Sequence, residues 1–208
     1  MVNLQFATVH GLYRDRYAYR EHLTDVIVQH LLTEQKVRIK CRDYVKKVAV
    51  FRDRLAVQLP DRVHIYDLAH HEDSYDMHYR IKERIYKSLP CNLLVVTTNH
   101  IILCQEKKLQ LFDFSGTKVR EWVLDAVIRY IKVDGGPAGS EGVLVGLKNG
   151  AVLKVFCDNA FPIELIKQQN AIRCLDISVD RTKLAVVDNQ NRILVYDLNT
   201  KEITFQES

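Results

Sequence analysis

The sequence predicts an all-β protein built from repeated four-stranded sheets, and two observations carry this prediction. First, four stretches of 14 residues align without gaps, each with apolar residues at every second position on both sides of a short polar turn. This alternation indicates a β-hairpin with one buried face, and turn dipeptides such as Asn149-Gly150 are typical of hairpins. The four stretches are Leu55–Leu68, Ile101–Phe114, Val145–Asp158 and Ala185–Leu198.

Second, each hairpin is flanked by two further predicted strands, which brings every repeat to four. The strand before the hairpin is strongly apolar, whereas the strand after it is more polar, as expected for a solvent-facing edge. The preceding strands are Val45–Phe51, Asn92–Thr97, Ile128–Val133 and Ile172–Ile177. The following strands are Met77–Lys87, Lys118–Leu124, Pro162–Ile166 and Lys201–Gln206. The connecting segments are too short, and too poor in helical periodicity, for the helices of a parallel βαβ sheet.

An aromatic residue at the twelfth position of every stretch sets the period of the repeat. These residues are 46, 44 and 40 residues apart, close to the period of about 40–45 residues that is typical of a WD40 blade. In three stretches an aspartate follows, at the place of the Trp-Asp dipeptide of WD40 repeats, whereas Cys157 takes this place in the third stretch. We expect the aspartates to fix turns by hydrogen bonding. The repeat positions are Tyr66, Asp67, Phe112, Asp113, Phe156, Tyr196 and Asp197.

The fold class that these patterns predict is an incomplete WD40-type β-propeller, with about four full blades plus part of a preceding one. Residues 1–41 are predicted to be the tail of the preceding blade, with strands at Val26–Leu31 and Lys36–Cys41. Because an open ring exposes strand edges, we expect the chain to be a fragment. A β-sandwich, which also has short strands at regular spacing, is the rival fold. The four blades cover approximately residues 42–90, 91–126, 127–170 and 171–208.

Composition and charge indicate a soluble intracellular protein. Hydrophobic residues make up 47% and charged residues 27% of the 208 residues, as in ordinary globular domains. No apolar run approaches the roughly 20 residues that cross a bilayer, and the N-terminus lacks the order of a signal peptide. The net charge of +4 is small and mixed with acids, so we expect no nucleic-acid partner. The five cysteines lack C-x-x-C spacing and are predicted to be reduced and mostly buried.

Several long runs of the sequence closely resemble the second propeller of the intraflagellar transport protein 122 family. Together they cover nearly the whole chain, and they are far more specific than a WD40 pattern. The runs are Thr8–Arg20, Thr24–Leu31, Thr33–Cys41, Asp76–Glu83, His100–Leu109, Arg129–Gly136, Val143–Gly150 and Lys183–Asp188.

This resemblance implies a non-enzymatic scaffold in a subunit of intraflagellar transport complex A. The family is linked to retrograde transport and ciliary cargo delivery, with sister subunits and cargo adaptors as partners, in the cytoplasm, the cilium and the ciliary base. Family members have two N-terminal propellers and a long array of helical repeats, and this sequence lacks the first propeller and the array. A generic WD40 adaptor in a vesicle-coat-like complex is the alternative. An enzyme on a propeller scaffold is the third possibility.

A cluster of aromatic and basic residues near the N-terminus is the candidate protein interface, because Arg and Tyr dominate interface hot spots. The same residues could stack and grip RNA, or simply form a strand with packed rings and solvated arginines. The cluster consists of Tyr13, Arg14, Arg16, Tyr17, Tyr19 and Arg20.

No other motif predicts a chemical site, and we expect no catalytic residues, no cofactor and no metal. His70, His71, Asp76 and His78 could in principle converge on zinc, but an inter-strand loop is the simpler interpretation. The glycine-rich segment Gly135–Gly142 lacks the Gly-Lys-Ser/Thr end of a P-loop and precedes a strand. We therefore interpret this segment as a flexible loop between strands.

Overall fold

The structure of this chain, a computed structural model, describes residues 9–71 and 74–207, with the side chains of residues 70, 71 and 74–76 left aside. Within these ranges the regular structure consists of twenty β-strands and no helix, and the strands form five four-stranded antiparallel sheets. The all-β prediction is confirmed. None of the described segments is a helix long and apolar enough to cross a membrane.

The chain divides into two compact units, residues 1–103 with 112–119, and residues 104–111 with 120–208. Sheet 1 contains β1 (His10–Tyr13), β2 (Arg16–Glu21), β3 (Asp25–His30) and β4 (Lys36–Lys40). Sheet 2 contains β5 (Lys47–Phe51), β6 (Arg54–Gln58), β7 (Val63–His71) and β8 (Ser74–Ile85). Sheet 3 contains β9 (Leu93–Val96), β10 (His100–Gln105), β11 (Lys108–Asp113) and β12 (Lys118–Val123). Sheet 4 contains β13 (Ile128–Gly135), β14 (Gly142–Leu147), β15 (Ala151–Phe156) and β16 (Ile163–Lys167). Sheet 5 contains β17 (Ile172–Ile177), β18 (Lys183–Asp188), β19 (Ile193–Asp197) and β20 (Ile203–Glu207).

In each sheet the strands lie in chain order, as they do in the blade of a propeller. The hairpins and flanking strands predicted from the alternation are all present within a few residues of their expected bounds. The outermost strand of sheet 5, β20, is exposed along its length, as its polar sequence predicts.

The first sheet has two more strands than the sequence analysis predicted. β1 and β2 lie in the segment of the aromatic and basic cluster, for which a strand with packed rings was one of the alternatives. These strands are only half-buried, with Ala18 as the single fully buried residue of β2. Without a run of small apolar residues, a strand of this kind gives a weak alternation signal.

Each unit contains a core of mainly aliphatic residues between stacked sheets. In the first unit Ala18 and Val28 of sheet 1 pack with Leu55 and Val57 of sheet 2. In the second unit residues of sheets 4 and 5 pack in the same way. Full burial of a Val or Leu side chain contributes about 1.5–3 kcal/mol, so these face-to-face contacts are the main source of stability. The core of the second unit contains Leu144, Val152, Ile166, Ile172, Leu175, Leu184, Val186, Leu194 and Tyr196.

The register of the hairpins corrects the gap-free alignment of the four stretches. Tyr66 lies opposite Leu55, Tyr196 lies opposite Leu184, and Phe156 lies opposite Gly142. Three aromatic residues at the same alignment position therefore pair with three different positions. The turns differ in length or in position: the innermost pairs Gln58–Val63, Val187–Ile193 and Gly146–Val152 enclose four, five and five residues. A sequence pattern of period 2 does not record this difference.

Candidate protein-interaction site

The six residues of the predicted cluster lie on the β1–β2 hairpin of sheet 1. Tyr13 ends β1, and Arg16 begins β2 directly opposite it. Between them Arg14 is exposed and has a backbone φ of 50°, which is the left-handed conformation of a tight turn. The hairpin therefore presents Arg14 at its tip. Alternation along β2 then divides the remaining residues between two faces.

Arg20 forms hydrogen bonds to the segment that leads into sheet 2. Its Nη1 donates hydrogen bonds to the Tyr44 hydroxyl at 2.9 Å and to the Val45 carbonyl at 2.8 Å. The guanidinium carbon also lies 5.1 Å from the centroid of the Tyr44 ring, within cation–π range. Arg20 is therefore a structural contact within the first unit.

Arg16 and Tyr13 are also used internally. The Arg16 side chain is 13% exposed and lies 4.0 Å from Asp53. Arg16 also faces Tyr79, whose pKa is raised by burial, an effect that the Arg16 charge partly offsets. The Tyr13 ring packs edge-on against Phe51 at 5.0 Å. The guanidinium groups of Arg14 and Arg16 lie 5.5 and 5.7 Å from the Tyr13 ring.

Tyr17 and Tyr19 lie on the opposite face of β2. We call the surface formed by His10, Tyr17 and Tyr19 the tyrosine face. Their rings stack with centroids 5.3 Å apart, and His10 lies 5.7 Å from Tyr17. The pKa of Tyr17 is raised by burial and by the neighbouring Tyr19 hydroxyl. Both tyrosines are half-exposed, so they offer ring area and hydroxyl groups to a partner.

The strands beside the tyrosine face carry positive charge at the sheet edge. In the register, Tyr17 pairs with Gln29, and Gln29 pairs with Lys36. Lys36 and Lys40 are exposed and form no ion pair with residues in the described ranges. Arg38, between them, forms ion pairs with Glu21 and Asp25. The six predicted residues thus do not form one surface: Arg14, Tyr17 and Tyr19 are accessible, while Tyr13, Arg16 and Arg20 mainly bind their own chain.

The aromatic repeat positions are structural. Tyr66 and Tyr196 are each 5% exposed and Phe112 is 4% exposed, whereas Phe156 is half-buried. The Tyr196 hydroxyl donates to Gln168 Oε1 at 3.0 Å. Burial raises the pKa of both Tyr66 and Tyr196.

The aspartates that follow the aromatic residues do not all act alike. Asp113 accepts hydrogen bonds from the backbone N–H groups of Ser115 and Thr117, at 3.0 and 2.9 Å. Asp197 does the same for Asn199 and Thr200, at 2.8 and 3.1 Å. These are the turn contacts expected from the sequence. Asp67 differs, because β7 continues past it.

Asp67 instead neutralises two cations of sheet 2. It forms ion pairs with Arg54 at 2.6 Å and with Lys82 at 3.1 Å. The turn expected after Asp67 does not form, because the β7–β8 hairpin extends to His71 and Ser74.

The remaining sequence motifs carry no site in the described part of the chain. Of the four candidate zinc ligands, the side chains of His70, His71 and Asp76 lie outside the described residues. Among the side chains that are described, no group of three or more His, Cys, Asp or Glu is placed to hold a metal ion. The segment Gly135–Gly142 joins β13 to β14. Its Glu141 is fully buried and accepts a hydrogen bond from the Gly139 N–H at 2.8 Å.

Burial of the cysteines follows the sequence-based expectation in part. Cys41, Cys104 and Cys157 are buried, and Cys91 and Cys174 are half-buried. Burial raises the pKa of Cys157 to about 12, so this thiol stays protonated and behaves as a small apolar group.

Sequence analysis missed a basic pocket in the first unit, where Lys46 and Lys47 lie beside Cys91. The adjacent lysines at the start of an apolar strand are the only local signal for it. Two of their neighbours in the pocket, Pro90 and Cys91, are more than 40 residues away in sequence.

Sheets of this kind are found in proteins of known structure with low sequence identity to this chain. The computationally designed Ika8 protein matches with a TM-score of 0.61 and 14% identity, over 96% of this chain and 61% of that chain. BBS1N, solved in complex with ARL6DN, matches with a TM-score of 0.65 and 13% identity, over 88% of this chain and 60% of that chain. Hsv2 from Kluyveromyces lactis matches with a TM-score of 0.60 and 13% identity, over 90% of this chain and 60% of that chain. The class of protein is thus an incomplete WD40-type β-propeller.

The sequence itself narrows this class to one family. The family described as "IFT122 second beta-propeller" matches residues 10–208, and the chain belongs to it. Intraflagellar transport protein 122 homologues from Mus musculus and Homo sapiens are each 65% identical to this chain over 204 residues, and the homologue from Danio rerio is 63% identical. Each match covers 98% of this chain but only 16–17% of the relative, so the chain spans about one sixth of the curated relatives it matches.

Proposed function

We propose that the chain is a non-enzymatic scaffold segment of an intraflagellar transport complex A subunit. It binds sister subunits and ciliary cargo adaptors, and it serves retrograde transport and cargo delivery in the cytoplasm, at the ciliary base and in the cilium. The observation that carries this proposal is identity of 63–65% to intraflagellar transport protein 122 homologues over 98% of the chain. Identity at that level extends beyond the core to surface residues, which a shared fold alone does not require.

The partner-binding surface that we propose is the tyrosine face with Arg14 at the hairpin tip. Tyrosine rings offer large rigid contact area at small entropic cost, and Tyr and Arg are enriched among hot spots. Exposed Lys36 and Lys40 at the sheet edge favour a partner with an acidic rim. A sister subunit with such a rim is the proposed occupant, and RNA is the alternative outcome of the test.

The surface is tested by the double variant Arg14→Glu/Tyr17→Ser in the natural full-length protein, expressed with a tag in ciliated cells. The matched control is Tyr86→Ser/Lys148→Glu, which removes one exposed tyrosine and one exposed turn cation elsewhere. Recovery of the other complex A subunits should fall at least fivefold for the first variant and stay unchanged for the control. Equal recovery from both variants contradicts the proposed surface.

The ciliary assignment is tested by the same purification from the unmodified protein. Enrichment of the other complex A subunits supports it. Enrichment of vesicle-coat subunits without them would support the generic adaptor instead. Loss of RNA, rather than of protein, from the Arg14→Glu/Tyr17→Ser purification would identify the tyrosine face as a nucleic-acid surface.

A further inference from the structure

A pocket of about 340 Å³ opens in the first unit where the chain enters β5. It lies apart from the tyrosine face, and no part of the proposed scaffold role accounts for it. Its volume is at the lower end of the range for ligand-binding clefts, about 300–1,000 Å³. The lining residues are Tyr44, Lys46, Lys47, Gln58, Pro90 and Cys91.

The pocket carries two positive charges that the chain does not neutralise. Lys46 is exposed and Lys47 is half-buried, and neither forms an ion pair with a carboxylate in residues 9–71 or 74–207. Of the acids nearest in sequence, Asp43 pairs with Arg62 at 3.2 Å and Asp53 lies 4.0 Å from Arg16. An anionic ligand could therefore pair with both ammonium groups without displacing an ion pair of the described residues.

Tyr44 adds a hydroxyl group that is oriented to donate. Its oxygen accepts the hydrogen bond from Arg20 Nη1 at 2.9 Å, so the phenolic hydrogen points away from Arg20 and is available to a ligand. Arg20 is itself held by the Val45 carbonyl at 2.8 Å. The pocket therefore has a positioned neutral donor beside two cationic ones.

The opposite wall is already fixed in place before any ligand arrives. Gln58 is 4% exposed, its Nε2 donates to the Leu89 carbonyl at 2.6 Å, and its Oε1 accepts from Cys91 Sγ at 3.5 Å. The Lys46 N–H donates to the Gln58 carbonyl at 2.8 Å. Since both polar atoms of the Gln58 side chain are used, the side chains left to meet a ligand are those of Tyr44, Lys46 and Lys47, which can donate. A rigid wall of this kind lowers the entropic cost of binding.

We infer that this pocket binds carboxylate side chains of an acidic, extended segment of a partner protein. Charge complementarity selects an anionic occupant, since two ammonium groups and one phenol offer donors to it. The volume accommodates a few side chains and not a folded domain, which favours an extended peptide. The inference does not depend on the ciliary assignment, because it concerns a property of the pocket itself.

The test measures binding of fluorescently labelled hexaglutamate to the purified full-length protein by fluorescence anisotropy at low salt. Lys46→Glu/Lys47→Glu should weaken binding at least tenfold. The matched control is Lys107→Glu/Lys108→Glu, which reverses another adjacent pair of exposed lysines and should leave binding within twofold of the unmodified protein. Hexaglutamine should not bind.

A second measurement uses the unmodified protein, so its result does not depend on whether the charge-reversed variant folds. Hexaglutamate should slow alkylation of Cys91, a pocket residue, at least threefold, while the half-buried Cys174 reacts at an unchanged rate. Equal binding to the two charge-reversed variants, or no protection of Cys91, overturns the inference. Binding of inorganic phosphate with no binding of hexaglutamate also overturns it, because the site would then take a small free anion and not a peptide.

Discussion

The guanidinium of Arg20 and the ring of Tyr44, 5.1 Å apart and joined by a hydrogen bond, link β2 of sheet 1 to the segment entering β5 of sheet 2. The core between these sheets consists mainly of aliphatic residues, whose contacts are not directional. The Arg20 contacts fix the register of one sheet on the other, because their donors require particular acceptor positions.

Replacement of Arg20 by alanine should loosen this junction. The change removes a cation–π contact and two hydrogen bonds, which together contribute about 1–3 kcal/mol. Native-state hydrogen exchange of the full-length protein should show faster exchange in β2 and β5. Arg14→Ala, at the exposed hairpin tip, should change those rates little. Equal effects of the two substitutions would show that the Arg20 contacts do not stabilise the junction.

The aromatic repeat positions should differ in their contribution to stability. Tyr196→Ala leaves a cavity in the core of the second unit and removes the hydrogen bond to Gln168 Oε1, and should cost about 3–5 kcal/mol. Phe156→Ala should cost clearly less, since Phe156 is half-buried. Chemical denaturation of the two variants measures the difference. A larger loss for Phe156→Ala would contradict the burial that the structure assigns.

Replacement by alanine should lower stability by different amounts at two glycines with positive φ. Gly150 has a φ of +84°, and a Cβ added there would clash with the Gln168 carbonyl oxygen. Gly139 has a φ of +88°, and a Cβ added there would have no other heavy atom within 4 Å. Gly139→Ala should therefore cost only the backbone strain, about 1 kcal/mol, and Gly150→Ala should cost substantially more. Thermal denaturation midpoints rank the two variants. Similar midpoints would indicate that the contact between Gly150, in the β14–β15 turn, and Gln168, just after β16, yields easily.

Sheet 5 should weaken in acid through Asp188, whose side chain is fully buried. Burial alone would raise the pKa of this carboxyl group, but hydrogen bonds from Arg192, Gln190 and Asn170 hold the pKa below its usual value. A group with a depressed folded-state pKa stabilises the protein above its unfolded pKa, and this stabilisation is lost as the pH falls through the folded-state pKa.

Hydrogen exchange in β18 and β19 should therefore accelerate as the pH is lowered below about 4, after correction for the intrinsic rate. Asp188→Asn should be less stable at neutral pH and should lack this acid-dependent step. An unchanged step in the variant would assign it to another carboxyl group.

Much of the fold could be predicted because the strands and turns leave patterns within short stretches of the sequence. Alternation around Asn149-Gly150 and the other turns places the hairpins, since a strand with one buried face has a period of two residues. The register could not be predicted, because turns that differ in length or in position lie behind the same pattern. Tyr66 and Phe156 illustrate this, as they pair with different positions of their hairpins.

The candidate site could be predicted only in part. Alternation shows that Arg16 and Arg20 lie on one face of β2 and that Tyr17 and Tyr19 lie on the other. It does not show which face is covered, because that depends on Tyr44, Asp53 and other distant residues. The basic pocket was missed for the same reason.

Cross-linking mass spectrometry of the full-length protein, purified with its partners from ciliated cells, tests most directly whether the tyrosine face contacts another subunit. Lys36 and Lys40 lie at the edge of the sheet that carries this face. We expect amine-reactive cross-links from one or both lysines to another subunit of intraflagellar transport complex A. The account is contradicted if Lys36 and Lys40 form cross-links only within their own chain while other lysines of the chain form cross-links to sister subunits.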